Sequence, residues 1–421
     1  MDKRSFLSSL PALGAGIIGT LKNIDYLNEK YTHLSALELA KNEDYWSEIR
    51  RGYRLKPDYI NLENGYYCIT PKETLENLIQ HIRHVNYEGS KYMRTVQWDN
   101  KAKAADAVAK IIGTTKEKVI ITRNTTESLD TIISGFPWQK DDEAVMANQD
   151  YGAMLQMFKQ VEKRHDIKCV LVDVPLHPKS DQEIVDVYAS AITGKTKLLM
   201  VCHMVNITGH ILPVRKICDM AHARGVEVMV DGAHAYSHIN FDINDLDCDY
   251  YGASLHKWLS TPLGAGMLYV NKKNIDKIWP LMAEWHREPG DISRLNHTGT
   301  HPVYTDLAIL NAVDYQNRIG LDRKEARLRF LQRYWSDQVR DVDGIILNTP
   351  KDIHRSCGIA NIGIEDKNPQ DMAKILLDDY QIWTVAIDGV GVHGCRITPN
   401  IYTTLDELDS FVSALRQMVY S

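Results

Sequence analysis

The chain has 421 residues, 44% hydrophobic and 25% charged, which gives room for a substantial core and two domains. A net charge of −6 with no long basic run argues against nucleic acid as a main partner. The seven cysteines (Cys68, Cys169, Cys202, Cys218, Cys248, Cys357 and Cys395) are scattered and never spaced as CxxC, which disfavours a disulfide scaffold or a structural zinc site and reads as small buried hydrophobes.

Residues 1–25 are ambiguous. Asp2-Lys3-Arg4-Ser5-Phe6-Leu7 precedes a mild apolar stretch from Leu10 to Gly19. The segment is similar to a twin-arginine export signal with Lys-Arg in place of Arg-Arg. The alternative is the frayed tail of a cytoplasmic protein, and the balance tips slightly towards export to the periplasm. The apolar run is too short to span a bilayer and no other segment qualifies, so no stable membrane insertion is expected.

The middle of the chain alternates β-rich runs with helical patterns. Lys118 to Thr122 reads as a strand, and Leu129, Ile132, Ile133 and Phe136 then fall on one helix face. Ala144–Ala147, Val170–Val174 and Lys197–Cys202 are the next strands. Pro213 opens a helix as a first-turn proline and Gly225 closes it, with Val214, Ile217, Cys218 and Ala221 as its buried stripe. Val226–Val230 and Gly266–Val270 complete the strands, with a further apolar run just before Lys257. Continuous apolar strands separated by helices imply an α/β fold with a mainly parallel sheet covered on both faces. Ligands of such sheets bind at the carboxyl ends of the strands. Thr125, Tyr151, Asn206 and Asp231 each follow a strand and therefore share one rim.

The tail differs. After about residue 290 helices such as Asp322 to Val339 mix with short strands near 358–364 and 395–398, and Thr404 is placed to cap a last helix. The expected division is 26–75, packing beside the small domain; 76–289, the large domain; and 290–421, a smaller α+β domain.

Lys257 lies just past one apolar run and Asp231 ends another. That pairing is what a pyridoxal 5′-phosphate (PLP) site needs: the lysine amine forms an imine with the cofactor aldehyde, and the carboxylate keeps the ring nitrogen protonated. Thr125 and Thr126 open a helix, where hydroxyls and free N–H groups can cradle phosphate, although a threonine there can also be a cap alone. Tyr151 can lay its ring on the cofactor, and His234 can hydrogen-bond its phenolic oxygen. Ser254 and His256 can complete the phosphate contacts. Arg396 suits bidentate binding of an amino-acid carboxylate.

The ordered set Asn124-Thr125-Thr126-Glu127, Asn206-Ile207-Thr208-Gly209, Asp231-Gly232-Ala233-His234, Ser254-Leu255-His256-Lys257 and Arg396 resembles the class V aminotransferase family of fold-type I PLP enzymes, in its isopenicillin N epimerase-like branch. The resemblance runs from about residue 60 to 415. It implies a PLP-dependent transferase fold of type I, with a mainly parallel seven-stranded sheet sandwiched by helices plus a smaller α+β C-terminal domain. It implies Lys257 as Schiff-base lysine and proton carrier, Asp231 on the pyridine nitrogen, and His234 where relatives often have Gln. Tyr151 takes the ring-stacking place, often His in relatives. Thr126, Ser254 and His256 hold phosphate, and Asn206 with Arg396 faces the substrate carboxylate. Gly299-Thr300 resembles the segment that reaches the phosphate of a partner subunit, which implies a homodimer with shared sites.

One departure matters. Cysteine desulfurases of the family carry a nucleophilic Cys on a mobile loop before the arginine. Here residues 386–394 are short and hold no Cys, and Cys395 should point away from Arg396 if the segment is a strand. Persulfide chemistry is therefore not expected. The resemblance favours an epimerase-like or aminotransferase-like enzyme acting on an amino acid or amino-acid-derived substrate, with a C–S lyase as runner-up. A non-catalytic amino-acid sensor fits less well, because both Lys257 and Asp231 are present. Epimerisation needs a second proton donor, for which His203, Tyr66 and Tyr67 are candidates.

Overall fold

The computed structural model describes residues 11–420 except residue 286. The Lys3-Arg4 part of the export-like segment lies outside the described residues. Pro11–Lys30 forms a helix. Among the described residues no helix is long and apolar enough to cross a membrane.

The strands in chain order are β1 (Ile60–Asn61), β2 (Val119–Thr122), β3 (Glu143–Ala147), β4 (Lys168–Val172), β5 (Thr196–Cys202), β6 (Glu227–Asp231), β7 (Tyr250–Ser254), β8 (Gly266–Val270), β9 (Ile345–Leu347), β10 (Ala360–Ile364), β11 (Ile382–Trp383), β12 (Val385–Gly389) and β13 (Val392–Ile397). β2 to β8 build one seven-stranded sheet in the order β2-β8-β7-β6-β5-β3-β4. Its pairings are parallel except those of β8, which runs antiparallel to both β2 and β7. The expected mainly parallel α/β sheet is therefore present.

Side-chain alternation divides this sheet between two cores. Val145, Leu199, Val201, Val228, Val230 and Tyr251 pack on one face. Their neighbours Ala144, Met146, Leu198, Met200, Met229 and Tyr250 pack on the other. Burial on both faces explains the unbroken apolar runs, with each buried Val, Leu or Ile contributing about 1.5–3 kcal/mol. The helix Thr125–Gly135 buries Leu129, Ile132 and Ile133 against the second face, as its spacing predicts. Pro213 sits one position earlier than expected, as the N-cap of Val214–His222 rather than in its first turn.

A four-stranded antiparallel sheet, β12-β13-β10-β9, forms the C-terminal part, and β1 pairs in parallel with β11. Leu62 joins the core under this sheet, which ties the N-terminal segment to it. Thr404 caps the last helix, accepting from the Glu407 N–H at 3.2 Å while Glu407 accepts from the Thr404 N–H at 2.8 Å. The helix Val303–Ile319 instead sends Ile309, Ala312 and Val313 into the first core of the large sheet, although it follows residue 290.

Candidate active site

A cavity of about 370 Å³ opens at the carboxyl rim of the large sheet, a size that suits a small organic ligand. Lining it are Thr125 and Thr126 after β2, Tyr151 after β3, Asn206 after β5, Asp231 and His234 at β6, and Ser254, His256 and Lys257 at β7. Arg396 enters from β13. The sheet thus brings together every predicted cofactor and substrate residue except Thr300, which is exposed and does not line this cavity in its own chain. A larger cavity of about 860 Å³ lies against the edge strand β2 and residues 287–297, away from the rim.

The helix Thr125–Gly135 points its N-terminus at the cavity. Asn124 caps it by accepting from the Glu127 N–H at 2.9 Å. Ser254 ties this turn to β7: its Oγ accepts from the Thr125 N–H at 2.9 Å and lies 2.7 Å from Thr125 Oγ1. First-turn N–H groups lack intrahelical acceptors, so the place favours an anion. Beside it, His256 Nδ1 is buried with no hydrogen-bond partner among the described residues. An orphaned ring nitrogen beside a helix N-terminus and a pair of hydroxyls suits a phosphate.

Asp231 is buried, which raises its carboxyl above the ordinary range, while the Ala233 N–H at 2.9 Å and the Lys257 charge oppose that rise. Lys257 is pushed down to about 8 by burial, against the pull of Asp231 and with help from Arg396. Its Nζ lies 2.9 Å from His234 Nε2. Burial, then the Lys257 charge, keeps His234 far below the usual histidine range and puts His256 at about 4, so both rings are neutral near pH 7. A desolvated lysine next to a neutral imidazole is a ready nucleophile and proton carrier. Lys324 donates to the carbonyl of Trp258 and holds the lysine segment from beneath.

Arg396 is not free. Its Nε donates to Glu63 Oε2 at 3.1 Å, Nη2 donates to Glu63 Oε1, and Nη1 donates to the Asn206 carbonyl at 3.2 Å. Both partners of the ion pair are more than nine-tenths buried. The Nε–Nη2 edge is taken, and the Nη1–Nη2 edge keeps donors for a ligand carboxylate. Gly65 packs flat on this guanidinium, and a Cβ there would lie 2.9 Å from Arg396 Cζ. Thr398 fixes the segment, accepting from the N–H groups of Asn64 at 2.6 Å and Gly65 at 3.1 Å. Sequence reasoning missed Glu63 and Gly65; the run Asn61-Leu62-Glu63-Asn64-Gly65 carries a turn signal but no hint of its partner.

Two proton-donor candidates fall away. His203 is buried, bonded to Tyr251 Oη at 3.3 Å, and does not line the cavity. Tyr67 spends its hydroxyl on Thr70 at 2.9 Å and also stays off the lining. Tyr66 does line the cavity, with its ring exposed at the mouth. Cys395 faces away from the cavity into the small core, its Sγ 3.6 Å from the Pro369 carbonyl. The segment before it is a tight β12–β13 hairpin whose turn residues, Val390 and Gly391, both have positive φ.

The profile of the family Aminotransferase class-V matches residues 68–411. The chain is 26% identical over 387 residues to an isopenicillin N epimerase of Streptomyces clavuligerus, covering 88% of this chain and 97% of that one. It is 24% identical over 298 residues to a hercynylcysteine sulfoxide lyase of Schizosaccharomyces pombe, covering 68% and 75%. Its fold matches the apo structure of a cysteine desulfurase from Thermococcus onnurineus NA1 with a TM-score of 0.79 at 20% identity, covering 89% of this chain and 98% of that one. The chain belongs to the aminotransferase class-V family, and its cofactor is PLP.

Proposed function

We propose that this protein removes and returns a proton at the α-carbon of an amino acid or an amino-acid-derived substrate, with an epimerase-like or aminotransferase-like outcome. The observation that carries this reading is the desolvated amine of Lys257 in one cavity with Asp231 and Arg396. PLP supplies the electron sink that makes the α-proton acidic. Lys257 Nζ carries that proton, and Asp231 faces the ring nitrogen. Thr125, Thr126, Ser254 and His256 would hold the phosphate, Tyr151 would cover the ring and His234 would contact the phenolic oxygen. Asn206 and the open edge of Arg396 orient the substrate carboxylate. In the epimerase reading Tyr66, at the cavity mouth, is the second proton group.

Persulfide formation is disfavoured because Cys202, the one cysteine on the cavity lining among the described residues, is fully buried and burial raises its thiol far above the usual range. A C–S lyase is the second reading, supported by the similarity to the S. pombe enzyme. A homodimer with shared sites belongs to the same proposal. Exposed Thr300, together with the exposed rings of Trp98, Trp279 and Trp285, supports it.

The test is incubation of the PLP-loaded protein with single amino acids in deuterated water, following α-proton exchange, chirality, keto acid and sulfide together. Exchange with inversion that is lost in Tyr66→Phe supports the epimerase. Keto acid with loss of the amino group supports transamination, and sulfide release supports the lyase. Turnover by Lys257→Ala would sink the assignment. Light scattering on the same sample reads the dimer.

A further inference from the structure

A buried chain of ring contacts runs behind Lys257, and its donors fix one another. The Gly358 N–H donates to His238 Nε2 at 2.9 Å, so that nitrogen is an acceptor. A neutral His238 therefore carries its proton on Nδ1, which donates to the His234 carbonyl at 2.7 Å. The His238 ring stacks on the Trp258 indole, with centroids 3.6 Å apart and planes at 29°. An indole N–H can only donate, and that of Trp258 reaches His234 Nδ1 at 3.4 Å. His234 Nδ1 is then an acceptor, and the single proton of the neutral ring sits on Nε2, 2.9 Å from Lys257 Nζ. All three rings are buried.

We infer that Trp258 is a positioning residue that sets the tautomer of His234, so that an N–H and not a lone pair faces Lys257 and the cofactor. The inference rests on the reading that this cavity holds PLP beside Lys257. Without Trp258 the two tautomers would differ little in energy, and the ring could turn a lone pair towards the lysine. The N–H orientation also requires the lysine nitrogen to accept, which a neutral amine does and an ammonium does not. His238 and the Gly358 N–H serve the same end from one layer further back, by holding the indole plane.

Nitrogen-15 NMR on histidine-labelled protein reads the tautomer directly, with the His234 signals assigned by their loss in His234→Gln. The expected result for the wild type at pH 9, above the value of about 8 to which burial pushes Lys257, is a protonated Nε2 and a bare Nδ1, with and without PLP. In Trp258→Phe the two nitrogens should move towards averaged shifts. The visible-band titration of the PLP-loaded variant should rise by about one unit, a tenfold change in proton affinity, because the phenolic oxygen loses a donor. The groups facing the titrating nitrogen are Asp231, Arg396, His234, His256, Cys68 and Cys202, and all are retained in the variant. A wild-type His234 protonated on Nδ1 would overturn the inference, as would a Trp258→Phe protein with unchanged tautomer and titration. The wild-type spectrum decides even if the variant does not fold. Absence of a visible band on adding PLP would instead defeat the cofactor reading, and the tautomer would still be measurable.

Discussion

Lys257 enters the cavity with a neutral imidazole as its hydrogen-bond partner, whereas Arg396 enters the same cavity clamped by a buried carboxylate. Arg396 is buried and Lys257 half-buried on the cavity lining; desolvation pushes the lysine down to about 8, while the arginine keeps a bidentate partner. A group that must change its covalent and proton state is given no directly paired counter-ion among the described residues, only the field of Asp231. A group that must stay charged and oriented is given one, along with a carbonyl and a glycine floor. Five measurements break or sharpen this contrast.

The largest effect is expected at the lysine. Lys257→Ala should cut α-proton exchange by about a thousandfold or more, while urea unfolding shifts by only about 1–2 kcal/mol, the loss of the hydrogen bond to His234 Nε2. Asp231→Asn should lower exchange by about 10²–10³-fold, since the ring nitrogen loses the charge facing it; the same deuterium assay reads it. Glu63→Ala should reverse the pattern seen at the lysine. It strands a buried guanidinium and should cost about 3–5 kcal/mol in urea unfolding, and a variant as stable as wild type would show that the pair is not structural. Gly65→Ala should displace Arg396 by its new Cβ, weakening binding of an amino acid about tenfold while the PLP absorbance stays. The mildest test is pH. Neutral Lys257 amine grows as pH rises through about 8, so PLP capture by the apo protein, followed by absorbance, should accelerate up to that point and then level off. Continued acceleration beyond pH 10 would mean an ordinary, solvated lysine.

Most of the rim was legible because parallel strands buried on both faces leave continuous apolar runs, and polar residues at their ends stand out. Thr125, Tyr151, Asn206, Asp231 and Lys257 were found this way. Cys395 was legible by strand alternation, which turns it to the face opposite Arg396. Glu63 was not, because its partner Arg396 lies 333 positions away and nothing local marks either as half of a pair. His203, just after β5, and Tyr67 had the right chemistry, but Tyr251 and Thr70 occupy their polar atoms. Thr300 sits where its own chain cannot use it.

The sequence by itself determined the α/β alternation, the strand-end residues, the lysine–aspartate pair and the missing loop cysteine. Each is a local pattern, set by periodicity or residue type over a few positions. Only the tertiary structure decided that Glu63 and Gly65 hold Arg396, and that Trp258 and His238 stand behind His234. Those contacts depend on which surfaces meet once the β1 segment docks on the C-terminal sheet and the Lys257 loop closes over the 234–238 turn. The directions of hydrogen bonds in a buried chain follow from donors and acceptors brought together across the fold, and no spacing along the chain encodes them.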